Sequence, residues 1–151
     1  VQPFPHQYAV AARAGLTGTV LVSSAGLSSL ETAPPPSFGG PEGFWSPETL
    51  LTGAVADCFI LTFRAIARAS RFDWAGLECQ VEATLDRVEG QSRFVHFTTT
   101  AMLTLAAGAD EALAQRLLHK SEQGCLVANS LSGTRSLVAE IRVLQRPGSK
   151  A

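Results

Sequence analysis

Apolar and polar residues change their spacing several times along this chain, and each change predicts an element. Leu77–Val88 sets Leu77, Cys79, Val81, Ala83 and Leu85 against Glu78, Gln80, Glu82, Thr84 and Asp86, the two-residue period of a half-buried strand. Glu89-Gly90 has hairpin-turn composition, and Arg93–Ala106, rich in Thr, Phe and Val, predicts a second long strand. Shorter strand-like stretches are Gln7–Ala12, Thr17–Ser23 and Leu27–Thr32, with a turn around Gly15, and Ser136–Leu144 closes the series. Thr49–Phe63 is different: it is apolar nearly all round and carries Gly53, Ala54 and Ala56, the pattern of a central helix that another backbone can approach closely.

Local chemistry sets the ends of these elements. In Ser46-Pro47-Glu48 the serine is suited to accept a free N–H, proline fits the first helical position, and glutamate complements the positive end of the helix dipole. The helix is expected to run to about Ser70, with Arg64, Arg68 and Arg71 marking its emerging end. Asp110–Ser121 predicts a second, amphipathic helix with Leu113, Leu117 and Leu118 inward and Gly124 as a stop, followed by a short piece at Cys125–Leu131. The prolines and glycines of Ala33–Gly43 predict a loop. The order β-β-β-α-β-β-α-β predicts an α+β protein, its helices packed against antiparallel strands.

Composition narrows the function classes. The 151 residues fit a single domain, 1–151, and with 46% hydrophobic residues they can bury a sizeable core. A net charge of −1 and scattered aromatics give no basis for nucleic-acid binding or for an anionic membrane surface. No stretch near Val1–Ala12 has the pattern of a signal peptide, and the 15-residue run Thr49–Phe63 is short for a membrane span and contains Asp57. The three cysteines, Cys58, Cys79 and Cys125, are widely spaced; they form neither a zinc motif nor a CxxC pair, so no metal or cofactor is expected. A cytoplasmic protein in which one or two thiols do chemistry is the expectation.

Each cysteine has a bland reading as well as a chemical one. Cys58 lies in the apolar helix, where cysteine is commonly just packing, but Asp57 beside it needs a partner or water. Cys125 follows Gly124 at a helix end, a place from which a thiol reaches another element, whereas Cys79 falls on the apolar face of a strand and is read as packing. His119, on a helix beside Lys120, reads as solvent-facing, and His96 and His6 carry no special claim.

Two blocks carry a family resemblance. Phe38-Gly39-Gly40, Ser46-Pro47-Glu48 followed by Leu50-Leu51, and Ala54-x-Ala56-x-Cys58-Phe59 resemble the first signature of the OsmC/Ohr family, the osmotically inducible protein C and organic hydroperoxide resistance proteins. Cys125-Leu126-Val127-Ala128-Asn129-Ser130-Leu131 resembles its second. The resemblance implies an intertwined homodimer in which antiparallel sheets surround two central helices and active sites lie at the subunit interface. It implies that Cys58 is the peroxidatic cysteine and Cys125 the resolving one, with an organic hydroperoxide as substrate and a dithiol reductant of the lipoyl or thioredoxin type. Glu48 matches the glutamate that holds an arginine against the reactive sulfur. Ten residues of helix separate Glu48 from Cys58, roughly 15 Å, so a shared site needs Glu48 from a second subunit or a broken helix.

The chain departs from the family where an arginine is expected. The corresponding places read Leu16-Thr17-Gly18 and Phe38-Gly39-Gly40, and Arg13, near the first of them, is the candidate cation. A thiol peroxidase needs such a cation to favour thiolate, and a carboxylate such as Asp57 opposes it. This departure keeps a second expectation open: the family fold without efficient peroxide chemistry, binding a small apolar or thiol ligand at a dimer interface. A Cys-His hydrolase built on Cys58 is a third, lacking an oriented histidine in the sequence.

Overall fold

In the computed structural model, which describes residues 1–146 and Gly148, the chain divides into two compact units, Val1–Leu51 and Thr52 onward. The first unit holds an antiparallel sheet of β1 (Ala11–Arg13), β2 (Val20–Ser23) and β3 (Leu30–Thr32), in that order. The expected strand at Gln7–Ala12 is shorter and lies later. Its pairing begins with Ala11 opposite Ser23, the last residue of β2, so earlier residues have no strand partner. The proline-rich loop contains a single 3-10 turn at Pro36–Phe38, closed by Gly39 at φ 76°. Gly40 is required: a Cβ there would sit 1.8 Å from the Pro34 carbonyl oxygen.

The long helix α1 (Pro47–Ala69) begins where Ser46 predicts. Ser46 Oγ accepts from the Thr49 N–H at 3.1 Å and the Ser46 N–H donates to Thr49 Oγ1 at 2.8 Å. This is a reciprocal capping box with threonine in the usual Glu/Gln place. At 23 residues α1 is longer than its most apolar run, and by length and composition alone it is apolar enough to cross a membrane. Its four buried residues, Val55, Phe59, Phe63 and Ala67, recur every fourth position and form one stripe. Phe59, Phe63 and Ala67 belong to the core of the second unit, with Phe63 edge-on to Trp74 at 5.4 Å.

That core lies on one sheet, built from β4 (Gly76–Val88), β5 (Gln91–Leu105) and β6 (Thr134–Val143). β4 and β5 form the expected hairpin; Glu89 and Gly90 both take positive φ, 51° and 80°, the backbone of a tight two-residue turn. Phe97, Thr99, Ala101, Leu103 and Leu105 alternate inward along β5. The sheet is mixed, because β6 runs parallel to β5 rather than antiparallel. A parallel neighbour needs a long crossover, and residues 106–133 supply it through α2 (Glu111–Gly124) and α3 (Leu126–Asn129). Asp110 caps α2 by accepting the Leu113 N–H at 2.9 Å, and Ala114, Leu117, Leu118 and Ser121 are its buried residues.

Candidate functional site

Cys58 lies on the stretch of α1 that turns away from the buried stripe. With Asp57, Leu61, Thr62, Leu126 and Val127 it lines an open, mostly apolar groove of about 510 Å³. Its sulfur is half-buried and 3.9 Å from Thr62 Oγ1. Asp57 is exposed, so water meets its charge.

Cys125 comes to the same place from the other side. It is the junction of two helices, ending α2 and starting α3 in an extended conformation (φ −66°, ψ 102°). Gly124 packs against the Thr62 side chain, where an added Cβ would be 3.4 Å from a methyl carbon. The end of α2 thus meets α1 one turn beyond Cys58. Cys125 is 1% exposed and its thiol donates to the Val55 carbonyl oxygen at 3.9 Å. Its sulfur thus lies against α1 at the turn that leads into Cys58, close enough for Cys58 to act on its acidity, and both are free thiols.

Burial dominates the acidity of Cys125 and pushes its thiol up to about 11. The Ala128 amide opposes this, Cys58 reinforces it, and the charge of Arg135 opposes it again. Cys79, on the inward face of β4 and packed on the core, is likewise raised to about 11, first by burial and then by Cys125. The third cysteine therefore fills the packing role expected of it and also lies within the electrostatic reach of Cys125.

Arg135 is the residue the sequence reading missed. It is the second residue of β6, in phase with the inward residues Leu137, Ala139 and Ile141. Its Nε donates to Glu122 Oε1 at 3.0 Å, with the two side chains 24% and 20% exposed. Its Nη1 is buried and makes no hydrogen bond. The signal was an arginine at a core-phase position; placing the strand start at Ser136 hid it.

The other candidate residues belong to the first unit. Arg13 is exposed on β1. Glu48 is half-buried in the first turn of α1, where it lines an apolar pocket of about 600 Å³ with Val20, Val22, Pro35, Phe38 and Leu50. Among the histidines, His119 is exposed and its Nδ1 is 2.8 Å from the Gln115 carbonyl oxygen. His96 lies between the hydroxyls of Thr134 and Ser136, at 2.6 and 2.9 Å. Neither histidine contacts a cysteine in these bonds. Among the described residues no group of three or more His, Cys, Asp or Glu is placed to hold a metal ion.

Comparison with known proteins gives one consistent result. The chain is 27% identical over 112 residues to the uncharacterized protein YmaD of Bacillus subtilis, covering 72% of this chain and 75% of YmaD. Its fold matches the OsmC-like protein VCA0330 of Vibrio cholerae, of unknown function, with a TM-score of 0.80 at 15% identity, covering 91% of this chain and 100% of that one. It also matches an organic hydroperoxide resistance protein OsmC from Legionella pneumophila, with a TM-score of 0.73 at 22% identity over 93% of this chain and 100% of that one. The family model described as OsmC-like protein matches residues 39–139, which span both cysteine blocks, and the chain belongs to that family.

Proposed function

We propose that the protein is a thiol-dependent hydroperoxide reductase working through Cys58 and Cys125. The observation that carries this reading is the placement of the two thiols at the same turn of α1, Cys58 opening on an apolar groove that Leu126 and Val127 also line and Cys125 buried against the Val55 carbonyl. Membership in the OsmC-like family supports it, and relatives of the same fold are named organic hydroperoxide resistance proteins. The Cys58 thiolate attacks an oxygen of the hydroperoxide, the O–O bond breaks, and an alcohol leaves with a proton. Cys58 is then a sulfenic acid. Cys125 attacks that sulfur, water leaves, and a disulfide joins the two. A dithiol reductant of the lipoyl or thioredoxin type opens the disulfide and is itself oxidised.

The apolar lining of the groove favours an organic hydroperoxide over hydrogen peroxide. The exposed side of α1, including Leu61 at 51% exposure, suits the two-helix contact of a homodimer. In that assembly Glu48 of one copy serves Cys58 of the other, and Arg13 is the arginine assigned to it. A reducing cytoplasm is the compartment in which the pair is reset. Turnover is tested with an organic hydroperoxide and a dithiol such as dihydrolipoamide. Cys58→Ser is expected to abolish turnover, and Cys125→Ser to lower it at least tenfold. Equal rates in Cys58→Ser and the unmodified protein would rule the reading out.

One observation favours a second reading, the apolar pocket beside Glu48. A pocket of about 600 Å³ is in the range that holds a small molecule. A protein that binds an apolar ligand there saturably, and reacts with peroxide only at the rate of a free thiol, fits this alternative instead.

A further inference from the structure

The reaction needs Cys125 twice as an anion, once when it attacks the Cys58 sulfenic acid and once when it leaves as the disulfide opens. Its surroundings oppose that charge. It is sealed from water, and its neighbours Cys58 and Cys79 are acids whose own charges would repel it. The arginine that the family resemblance places against Cys58 has no counterpart at its usual places in this chain.

The fold brings another cation to this point. Gly133 lets β6 start hard against β5: a Cβ there would be 3.1 Å from the Val95 carbonyl carbon and 3.2 Å from the Phe97 ring. Arg135 then falls opposite Phe97 in the register, on the face that carries the core. Glu122 takes the Nε, so the guanidinium is held from one side while Nη1 stays buried with no acceptor. Glu122 is also tied to the thiol through the chain, since its carbonyl oxygen accepts the Cys125 N–H at 3.4 Å. The charge of Arg135 is felt at Cys125, where it favours the anion.

We infer that Arg135, held by Glu122, is a positioning residue for the resolving half of the cycle, stabilising Cys125 as a thiolate when it attacks and when it leaves. The inference rests on Cys58 being the peroxide-reactive sulfur. The charged and titratable groups around Cys125 are Cys58 on α1, with exposed Asp57 beside it, Cys79 on β4, Glu122 on α2 and Arg135 on β6. Of these only Arg135 is a cation. Its single ion pair with Glu122 leaves Nη1 buried and unbonded, and a negative charge forming at Cys125 is stabilised by the positive charge held beside it.

The test is single turnover with one equivalent of an organic hydroperoxide, comparing the unmodified protein with Arg135→Gln and Arg135→Lys. Sulfenic acid is trapped with dimedone and disulfide is measured by quenched alkylation. Arg135→Gln is expected to form disulfide about tenfold more slowly, the effect of about one pH unit on thiolate fraction. Its sulfenic acid should accumulate, its pH profile should move to higher pH, and Arg135→Lys should restore much of the rate. An unmodified protein that forms disulfide alongside an Arg135→Gln variant with the same rate and pH profile would overturn the inference and leave the peroxidase reading intact. An unmodified protein that forms neither sulfenic acid nor disulfide would overturn that reading.

A peroxide-free measurement isolates the charge effect. In a Tyr8→Phe, Cys58→Ser, Cys79→Ser background, which removes the tyrosinate band as well, thiolate absorbance at 240 nm follows Cys125 alone. Arg135→Gln should raise the midpoint by about one unit; an unchanged midpoint would overturn the inference whatever the protein does with peroxide.

Discussion

Burial raises the thiols of Cys79 and Cys125 from 9.0 to about 11, and this has a consequence for stability as well as for chemistry. In the unfolded chain each thiol loses its proton near pH 9, while in the folded protein each keeps it until about 11. Between those values the folded state binds more protons, so stability falls as pH rises through that window and is fully present below it. The melting temperature of the reduced protein should therefore decline between pH 9 and 11. Cys79→Ala should make the decline shallower. A melting temperature that is flat across that range would contradict the acidities assigned to these two residues. The pair Cys58 and Cys125 was legible in sequence because two motif blocks carry it. Arg135 shows in sequence only as an arginine in core phase at the edge of a strand; its neighbours in space come from α2 and from the α2–α3 junction, and no local pattern joins them.

At the scale of elements, alternation and capping residues located both long helices and the long hairpin to within a few residues. Ser46 illustrates why: its cap is made by Thr49, three residues away, so the whole device is local. Ser46→Ala should cost about 1 kcal/mol, read as a lowered midpoint in urea. Phe63, fully buried and edge-on to Trp74, should cost about 3–5 kcal/mol when cut to alanine. A loss under about 1 kcal/mol at Phe63 would mean that α1 is not the core helix described, since removing a buried phenylalanine ring costs about 3–5 kcal/mol. The direction of β6 was not legible. Alternation along Ser136–Leu144 predicts a strand and its buried face, but whether it lies parallel or antiparallel depends on where the crossover through α2 and α3 returns it. The early limit of β1 has the same origin, because the extent of β2 decides it.

At the scale of the whole molecule, the chain has the OsmC-like fold, with each cysteine block in the element its sequence suggested. What the fold adds is the convergence of α1, the α2–α3 junction and the start of β6 on one pair of sulfurs. Homodimerisation is expected to follow from the exposed side of α1, and sedimentation at micromolar concentration should give twice the chain mass; a monomer there would remove the role proposed for Glu48. The central claim is that Cys58 and Cys125 form a working pair, and peptide mapping under non-reducing conditions tests it most directly. After one equivalent of organic hydroperoxide, a Cys58–Cys125 disulfide within one chain is expected, with Cys79 still reduced. Three free thiols, or a disulfide that includes Cys79 instead, would contradict it.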